Sequence, residues 1–283
     1  MSKTVTNIST SIRQRLLNLA RTRNEDFGLL LTKYALERIL YRISQSKYRT
    51  VFVLKGVLLF ELWTEQAHRP TRDADSLSQG ENDPARLEAT FKEVCTTSVA
   101  DDGMVFDPEG ITAQRIKEDA DYEGVRVSFL GFLEKARIPM QIDIGFGDAI
   151  TPHAVKSTFP AMLNGPAPVL LTYPKETVVA EKFEAMVKLG MANSRMKDFH
   201  DIRTLGDLFP SRVKFFLTLS SGRSKGERLH YPLQSVQSHS RPSSSKMKKR
   251  SVNGAHLLQR TDFTQLLYRW KKSSRPSSAS SCQ

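Results

Sequence analysis

Two stretches of sequence decide the fold: VFVLKGVLLFELW at residues 51–63 and RPTRDADSL at residues 69–77. The first predicts a short buried strand that Gly56 ends, followed by a buried helix, and DADSL predicts a second extended segment. Residues two apart in an extended segment project from the same face, so Asp73 and Asp75 converge on one point. Their carboxylates repel each other unless a cation lies between them.

A third carboxylate lies in the stretch QIDIGFGD at residues 141–148. Asp143 stands between two isoleucines in a predicted strand, where an acid is costly unless it is paired or binds a metal ion. Three strand-borne acids able to surround two cations about 3.5–4 Å apart match two-metal phosphoryl or nucleotidyl transfer. Oxygen ligands favour Mg²⁺ or Mn²⁺.

Each acid also has a simpler interpretation. Asp73 and Asp75 are compatible with a turn that carries two solvated acids, because an isolated D-x-D pattern is common. Asp143 is compatible with an acid at the rim of the sheet that bonds to a loop. Asp148, which lies beyond two glycines, is interpreted as such a loop acid.

The order of the predicted elements is helices, then a sheet with inserted helices, then helices again, which predicts an α+β fold. Predicted strands cover residues 51–54, 73–77, 111–116, 125–133 and 138–146, and the last two, joined by EKAR, predict an antiparallel hairpin. Predicted helices cover residues 8–45, 57–63, 175–189 and 195–209, with a further helix capped by Asp83. Gly190 is expected to end the helix over 175–189, and Asn193 or Ser194 to cap the last one.

This order divides the chain into four regions. Residues 1–50 form an N-terminal helical region, residues 51–150 the core that carries the three acids, and residues 151–210 a C-terminal helical region. Residues 211–283 form a tail rich in Ser, Lys and Arg, with 17 serines among 73 residues and no sustained period of 2 or 3.6.

The positive charge of the chain belongs to this tail. The formal net charge of the whole chain is +12, but residues 211–283 contain 15 Lys and Arg against two acids, a net of +13. The remaining residues therefore carry a net charge of −1. A neutral body weakens any argument that the whole protein binds nucleic acid through its charge.

Two interpretations of the tail are open. The first is a disordered basic segment. The second is translation out of frame, because codon degeneracy allows WKKSSRPSSASS at residues 270–281 to be the shifted reading of LEEVVAAIERFL, an amphipathic helix. The gene sequence in all three frames distinguishes the two.

The cysteines and the N-terminus indicate a reducing cytoplasm. The chain has two cysteines, Cys95 within a helical pattern and Cys282 next to the end, so neither a disulfide framework nor a zinc cluster is expected. The polar N-terminus lacks the apolar core of a signal peptide. The longest apolar run is too short and too charged to span a bilayer, so no membrane partner is expected.

Two helical segments near the C-terminal end of the body carry further candidate residues. Lys182 emerges from an otherwise apolar helix face, which suits either a functional lysine or one that extends its charged end to solvent. Asp198 and Asp201 lie three residues apart on one helix face, with Arg195 one turn earlier. A surface ion-pair ladder is the alternative for both acids and the preferred interpretation of Asp201.

Taken together, these segments resemble a known family. LKGV at 54–57, RDADS at 72–76 and IDI at 142–144 follow the nucleotidyltransferase order hG[GS], then h-D-h-[DE]-h, then h-[DE]-h. PKETVVAEKFEAMV at 174–187 and NSRMKDFHDI at 193–202 resemble the AbiEii-type nucleotidyltransferase toxins of bacterial toxin–antitoxin and phage-abortive systems. The resemblance covers residues 10 to 210, with no recognised counterpart of the family's C-terminal helical part beyond them.

The resemblance implies a nucleotidyltransferase-like sheet and a role for each matching position. The implied catalytic residues are Asp73, Asp75, Lys182 and Asp198, and the implied metal ligands are Asp73, Asp75 and Asp143. The implied nucleotide-binding residues are Lys55, Gly56, Arg72 and Arg195. Val57 departs from the pattern, since a small polar residue is expected there, so phosphate would rely on backbone N–H groups.

The implied activity is Mg²⁺- or Mn²⁺-dependent transfer of a nucleoside monophosphate from a nucleoside triphosphate to an acceptor. The implied partners are tRNA or another RNA as acceptor and a cognate antitoxin protein. Three alternatives are open: a D-x-D glycosyltransferase that uses a nucleotide sugar, a non-catalytic RNA-binding protein that depends on the basic tail, and an inactive remnant.

Overall fold

The structure is a computed structural model that describes residues 7–64, 69–119, 122–148, 150, 152–189 and 196–209. The chain divides into two compact units, Met1–Val178 and Val179–Gln283. The tail from residue 211 onward lies outside the described residues, and so do Arg195, Gly190, Asn193 and Ser194.

Two helices open the first unit, as the sequence predicts for residues 8–45. Helix α1 spans Ile8–Arg23 and helix α2 spans Phe27–Gln45. Each begins at a polar cap: the Asn7 side chain accepts from the backbone N–H of Thr10, and the Asp26 side chain accepts from that of Leu29. These bonds satisfy N–H groups that have no partner within the helix.

The stretches that decide the fold adopt the predicted order of elements. Strand β1 spans Phe52–Lys55, a 3₁₀ helix spans Val57–Leu62, and strand β2 spans Ala74–Ser78. The helix after Gly56 is thus a tight 3₁₀ helix, and Asp73 lies just before the strand. Helix α3, Pro84–Cys95, begins at the predicted cap, where the Asp83 side chain accepts from the N–H of Ala85.

Six further strands complete the sheet. They are β3 (Met104–Phe106), β4 (Thr112–Asp119), β5 (Tyr122–Leu133), β6 (Ala136–Phe146), β7 (Val155–Thr158) and β8 (Val169–Thr172). The predicted strands β4, β5 and β6 are confirmed, as is the antiparallel hairpin of β5 and β6. Strands β3, β7 and β8 have no predicted counterpart, because their three or four residues are too few to show a period.

Among the described residues, eight strands form one mixed sheet. Seven follow the order β3-β5-β6-β2-β1-β8-β7, and β4 also pairs with β5. Strand β2 runs parallel to β6 and antiparallel to β1, and β8 runs parallel to β1. The predicted α+β fold with a mixed sheet flanked by helices is confirmed. The sheet includes β7 and β8, so it extends past residue 150, where the predicted core region ends.

One face of the central strands forms the core. Ala74, Ile142 and Val127 lie opposite one another on β2, β6 and β5, and each is at most 1% exposed. The rings of Phe91 on α3 and Phe129 on β5 pack on this side, with centroids 6.1 Å apart. Because side chains alternate along a strand, the next residue on each strand points to the opposite face.

The described part of the second unit is helical. Helix α4, Lys175–Leu189, enters it from the first unit, and helix α5 spans Met196–Leu208. Met186, Phe199 and Ile202 are buried together, and Phe183 packs against them. Both predicted helices are confirmed. No helix in the described part of the chain has the length and apolar character needed to cross a membrane.

Candidate active site

A row of four charged residues crosses the sheet face opposite the core. Lys55 on β1 lies opposite Asp75 on β2, Asp75 lies opposite Asp143 on β6, and Asp143 lies opposite Arg126 on β5. Directly opposite residues in neighbouring strands present their side chains on the same face. Two carboxylates therefore occupy the middle of the row, with a cationic side chain at each end.

Gly56 lies directly against the first of these carboxylates. A Cβ at Gly56 would lie 2.8 Å from Cγ and 2.9 Å from Cβ of Asp75, and closer still to its Oδ2. Gly56 also has φ of +75°, a conformation that residues with a side chain rarely adopt. The glycine predicted to admit phosphate thus leaves space that the Asp75 carboxylate fills.

Asp143, predicted as a third metal ligand, is held by an arginine of the neighbouring strand. Arg126 Nε donates to Asp143 Oδ1 over 2.9 Å, and Nη2 donates to Oδ2 over 2.8 Å. This bidentate geometry is the strongest form of a carboxylate–guanidinium pair. Asp143 is not an acid at the rim bonded to a loop, because it lies within β6 and its partner is on a strand.

Lys55 closes the other end of the row. Its Nζ donates to Asp148 Oδ2 over 3.2 Å and lies 5.9 Å from the centre of the Tyr173 ring. The backbone N–H of Tyr173 donates to the carbonyl of Leu54 over 2.9 Å, which ties the end of β8 to β1. Asp148 therefore pairs with the strand residue that stands beside Asp75.

Asp73 and Arg72 occupy the segment that enters β2. The Thr71 hydroxyl donates to Asp73 Oδ1, and Asp73 is half-buried. Arg72 is exposed. The structure thus places Asp73 two residues before Asp75 at the edge of the same strand, while Arg72 faces solvent.

The residues present fit a hard divalent cation. Carboxylate oxygens are the donors that Mg²⁺ and Mn²⁺ prefer, and Asp75 and Asp143 stand opposite each other on parallel strands. The absence of a side chain at Gly56 makes room for the Asp75 carboxylate. Within the described residues, no three His, Cys, Asp or Glu side chains already stand close enough to hold a metal ion by themselves. Mg²⁺ usually completes its shell with substrate phosphates and water.

A second cluster of charges lies in the helical unit. Lys182 Nζ lies 3.1 Å from Asp198 Oδ1 and 2.7 Å from Asp201 Oδ2. Asp201 is fully buried, so the prediction of a surface ion-pair ladder for it is wrong. Its sequence neighbours did not reveal this, because its burial depends on packing between α4 and α5. Arg195, predicted to bind nucleotide, lies outside the described residues.

Comparison with known proteins adds a family and two structures. The profile of the family described as nucleotidyl transferase AbiEii toxin, type IV TA (toxin–antitoxin) system, matches residues 38–249. No curated protein matches the chain. JHP933 from Helicobacter pylori is 15% identical, with a TM-score of 0.42 over 69% of this chain and 76% of that one. A candidate nucleotidyltransferase from H. pylori is 17% identical, with a TM-score of 0.40 over 68% and 78%.

The profile match and the motif resemblance differ in extent. The match begins at residue 38 and continues to residue 249, whereas the motifs indicated residues 10 to 210. The prediction that the family resemblance ends near residue 210 is therefore wrong. Part of the basic tail has a counterpart in the family.

Proposed function

This chain belongs to the AbiEii family of nucleotidyl transferase toxins, and we propose that it transfers a nucleoside monophosphate from a nucleoside triphosphate to an acceptor hydroxyl. The observation that carries this proposal is the placement of Asp75 opposite Asp143, with Gly56 against Asp75. It brings two carboxylates and the backbone of a glycine to one place on the sheet face opposite the core.

In this proposal, Asp73, Asp75 and Asp143 hold Mg²⁺ or Mn²⁺. Divalent cations bound there would supply charge neutralisation for the phosphates and a more acidic acceptor hydroxyl. We assign the Gly56 turn to the triphosphate, which would approach the backbone N–H groups there. Lys55, half-buried at the end of the row, orients a phosphate by its charge.

The proposed reaction needs no covalent bond between the protein and the substrate. The acceptor hydroxyl gives up its proton to water and its oxygen attacks the α-phosphorus in line. The bond from that phosphorus to the oxygen of the β-phosphate breaks, and pyrophosphate leaves. The side chains of the row contribute orientation and charge rather than a covalent intermediate. We also assign catalytic roles to Lys182 and Asp198, as the family resemblance implies.

The family match supports an assignment of the acceptor and the partner. We assign RNA, tRNA in particular, as the acceptor class and a cognate antitoxin as the protein partner, in a phage-defence setting in the bacterial cytoplasm. The neutral body means that RNA recognition depends on local charges or on the basic tail, since residues 1–210 carry a net charge of −1. RNA binding is expected to weaken as the salt concentration rises.

The test is incubation of the full chain with each α-³²P-labelled nucleoside triphosphate, Mg²⁺ and total bacterial RNA. Label is expected in RNA, with release of pyrophosphate, and Asp73→Ala, Asp75→Asn and Lys182→Ala should each reduce it by at least a hundredfold. Asp207→Asn is the matched control, because this side chain is 76% exposed on α5 and its carboxylate lies 3.8 Å from Arg203.

Three results would contradict the proposal. Label that persists in Asp75→Asn would show that the acids of the row do not act in transfer. Absence of label in RNA and in protein, together with absence of pyrophosphate release, would favour an inactive chain. Turnover of a UDP-sugar in the same preparation would favour the glycosyltransferase alternative.

A further inference from the structure

Two neighbouring carboxylates on one sheet face need a cation whether or not a substrate is bound. Asp75 and Asp143 occupy paired positions on β2 and β6, so their like charges repel. Asp143 is also largely withdrawn from water, with its side chain 10% exposed. A carboxylate in that position is costly unless a positive group compensates it.

Arg126 is the group that compensates Asp143 in this structure. It uses two of its nitrogens, so both carboxylate oxygens are engaged at 2.9 and 2.8 Å. Those oxygens are the ones that Asp143 would offer to a divalent cation. A guanidinium and a divalent cation on the same two oxygens would repel each other strongly across a few ångströms.

The two partners differ in how easily they can move. Asp143 is fixed in the middle of the sheet, whereas the side chain of Arg126 is 43% exposed. Rotation of Arg126 away from Asp143 therefore does not leave a buried cation behind. Its guanidinium, once released from Asp143, is well suited to bind phosphate oxygens in pairs.

We propose that Arg126 is an exchangeable counter-ion of the site: it holds Asp143 in the cation-free protein and moves to the nucleotide phosphates when divalent cation and triphosphate bind. This inference rests on the proposed function, since it requires Asp143 to bind the cation. It makes Arg126 a positioning residue for the empty site and a phosphate ligand in the loaded one.

Substitution of Arg126 should change the affinity for bare Mn²⁺ and the affinity for a Mn²⁺-loaded nucleotide in opposite directions. Without Arg126, bare Mn²⁺ no longer competes with a guanidinium, so Arg126→Gln should bind Mn²⁺ about tenfold more tightly than the natural chain. The same variant should bind a Mn²⁺-loaded, non-hydrolysable nucleoside triphosphate analogue about tenfold more weakly, because a phosphate ligand is lost. A merely structural pair predicts the same sign for both.

Matched variants separate this exchange from general charge and folding effects. Arg137→Gln removes an arginine from the same face of β6, about 20 Å along the strand from Asp143, and should change neither affinity by more than twofold. Arg126→Lys keeps the charge and should restore part of the analogue affinity. Urea titration of each variant confirms that it is folded.

The experiment is a titration of the full-length protein with Mn²⁺, followed by electron paramagnetic resonance of free Mn²⁺, without and with the analogue. Tighter Mn²⁺ binding and weaker analogue binding by Arg126→Gln supports the exchange. If Asp75→Asn abolishes Mn²⁺ binding but Arg126→Gln leaves it unchanged or weakens it, the exchange is overturned and the proposed function stands. Absence of Mn²⁺ binding in the natural chain and in Arg126→Gln overturns both.

Discussion

Gly56 and Asp75 are packed so closely across β1 and β2 that no side chain fits at position 56. A Cβ there would lie within 2.9 Å of three atoms of Asp75. The glycine turn and the strand acid are far apart in the sequence motif, but in the fold each limits the other. The position of the Asp75 carboxylate therefore depends on the absence of a side chain at residue 56.

Substitution Gly56→Ala should remove transferase activity and destabilise the protein. The positive φ alone costs about 1–2 kcal/mol, and displacement of the Asp75 side chain adds to that cost. We expect the free energy of unfolding to fall by about 3 kcal/mol, measured by urea titration, together with loss of α-³²P transfer.

Gly147→Ala is the matched control for this substitution. Gly147 has φ of +82° but nothing within 4 Å of where its Cβ would lie. It therefore carries the backbone strain without the contact with an acid, and about 1–2 kcal/mol of destabilisation is expected. Equal effects of the two substitutions on stability and transfer would show that contact with Asp75 is unimportant.

Lys182→Met should destabilise the helical unit. Lys182 Nζ contacts two buried carboxylates, those of Asp198 and Asp201, and removal of the lysine leaves them without this cation. Breaking a buried pair in this way costs about 3–5 kcal/mol. Hydrogen exchange of the α5 amides is the measurement, because it reports the opening of that helix.

An exposed pair on the same helix provides the comparison. Arg203 and Asp207 lie 3.8 Å apart and are 42% and 76% exposed, so Arg203→Ala should cost no more than about 0.5 kcal/mol. The double variant Lys182→Met and Asp201→Asn should recover part of the lost stability. Similar exchange rates in Lys182→Met and Arg203→Ala would rule out a structural role for the cluster.

Arg42 makes a buried ion pair that should contribute to stability without a part in transfer. Its Nη1 and Nη2 donate to the two oxygens of Asp102 over 2.8 and 3.0 Å, and Nη2 also donates to the Met104 carbonyl over 2.9 Å. The guanidinium lies 4.8 Å from the centre of the Phe106 ring. These contacts tie α2 to the start of β3.

Arg42→Ala should therefore lower the free energy of unfolding by about 3–5 kcal/mol, because Asp102 stays buried. Urea titration provides the value. Arg13→Ala is the control, since Arg13 is half-exposed and lies 3.8 Å from Glu134, and a loss of about 0.5 kcal/mol or less is expected. A small loss of stability in Arg42→Ala would mean that water readily takes the place of Arg42 beside Asp102.

Cys95 should be unreactive in the folded protein. Burial raises the pKa of its thiol to about 12, so at pH 8 only about one molecule in ten thousand carries a thiolate. In a Cys282→Ser background, a disulfide reagent should label Cys95 only after urea unfolds the protein. Rapid labelling without urea would indicate that the end of α3 opens readily.

The raised pKa of Cys95 also determines how the stability of the protein changes with pH. The unfolded thiol ionises near pH 9 and the folded one near pH 12, so its contribution is complete below pH 9 and is lost as the pH rises toward 12. Cys95→Ala in the Cys282→Ser background should lose stability less steeply between pH 9 and pH 11. Parallel curves for the two proteins would contradict the assigned burial of the thiol.

Much of the fold followed from local patterns in the sequence. The alternation in VRVSFLGFL and IPMQIDIGF predicted two strands and their hairpin, because side chains alternate along a strand. The cap at Asp83 and the glycine at position 56 marked the ends of elements correctly. The short strands β3, β7 and β8 escaped detection, since they are held in the sheet by their neighbours.

Local sequence patterns also identified the candidate acids, but they did not identify the side chains that contact those acids. The sequence by itself determined that Asp75 and Asp143 lie on strands and that Lys182 emerges from an apolar helix face. The residue of β5 that lies opposite Asp143 depends on the register of the hairpin. A turn of only two residues sets that register, with Glu134 at φ of +54°. That register alone places Arg126 opposite Asp143.

Only the tertiary structure decided which charges meet. Lys55 met Asp148, Arg126 met Asp143, and Lys182 met the buried Asp201, and these pairs lie 17 to 93 positions apart in the chain. Periodicity reports which face of an element a residue occupies, because it follows from the backbone geometry of that element. The partner and the burial of a charge depend on packing between elements, which no local pattern records.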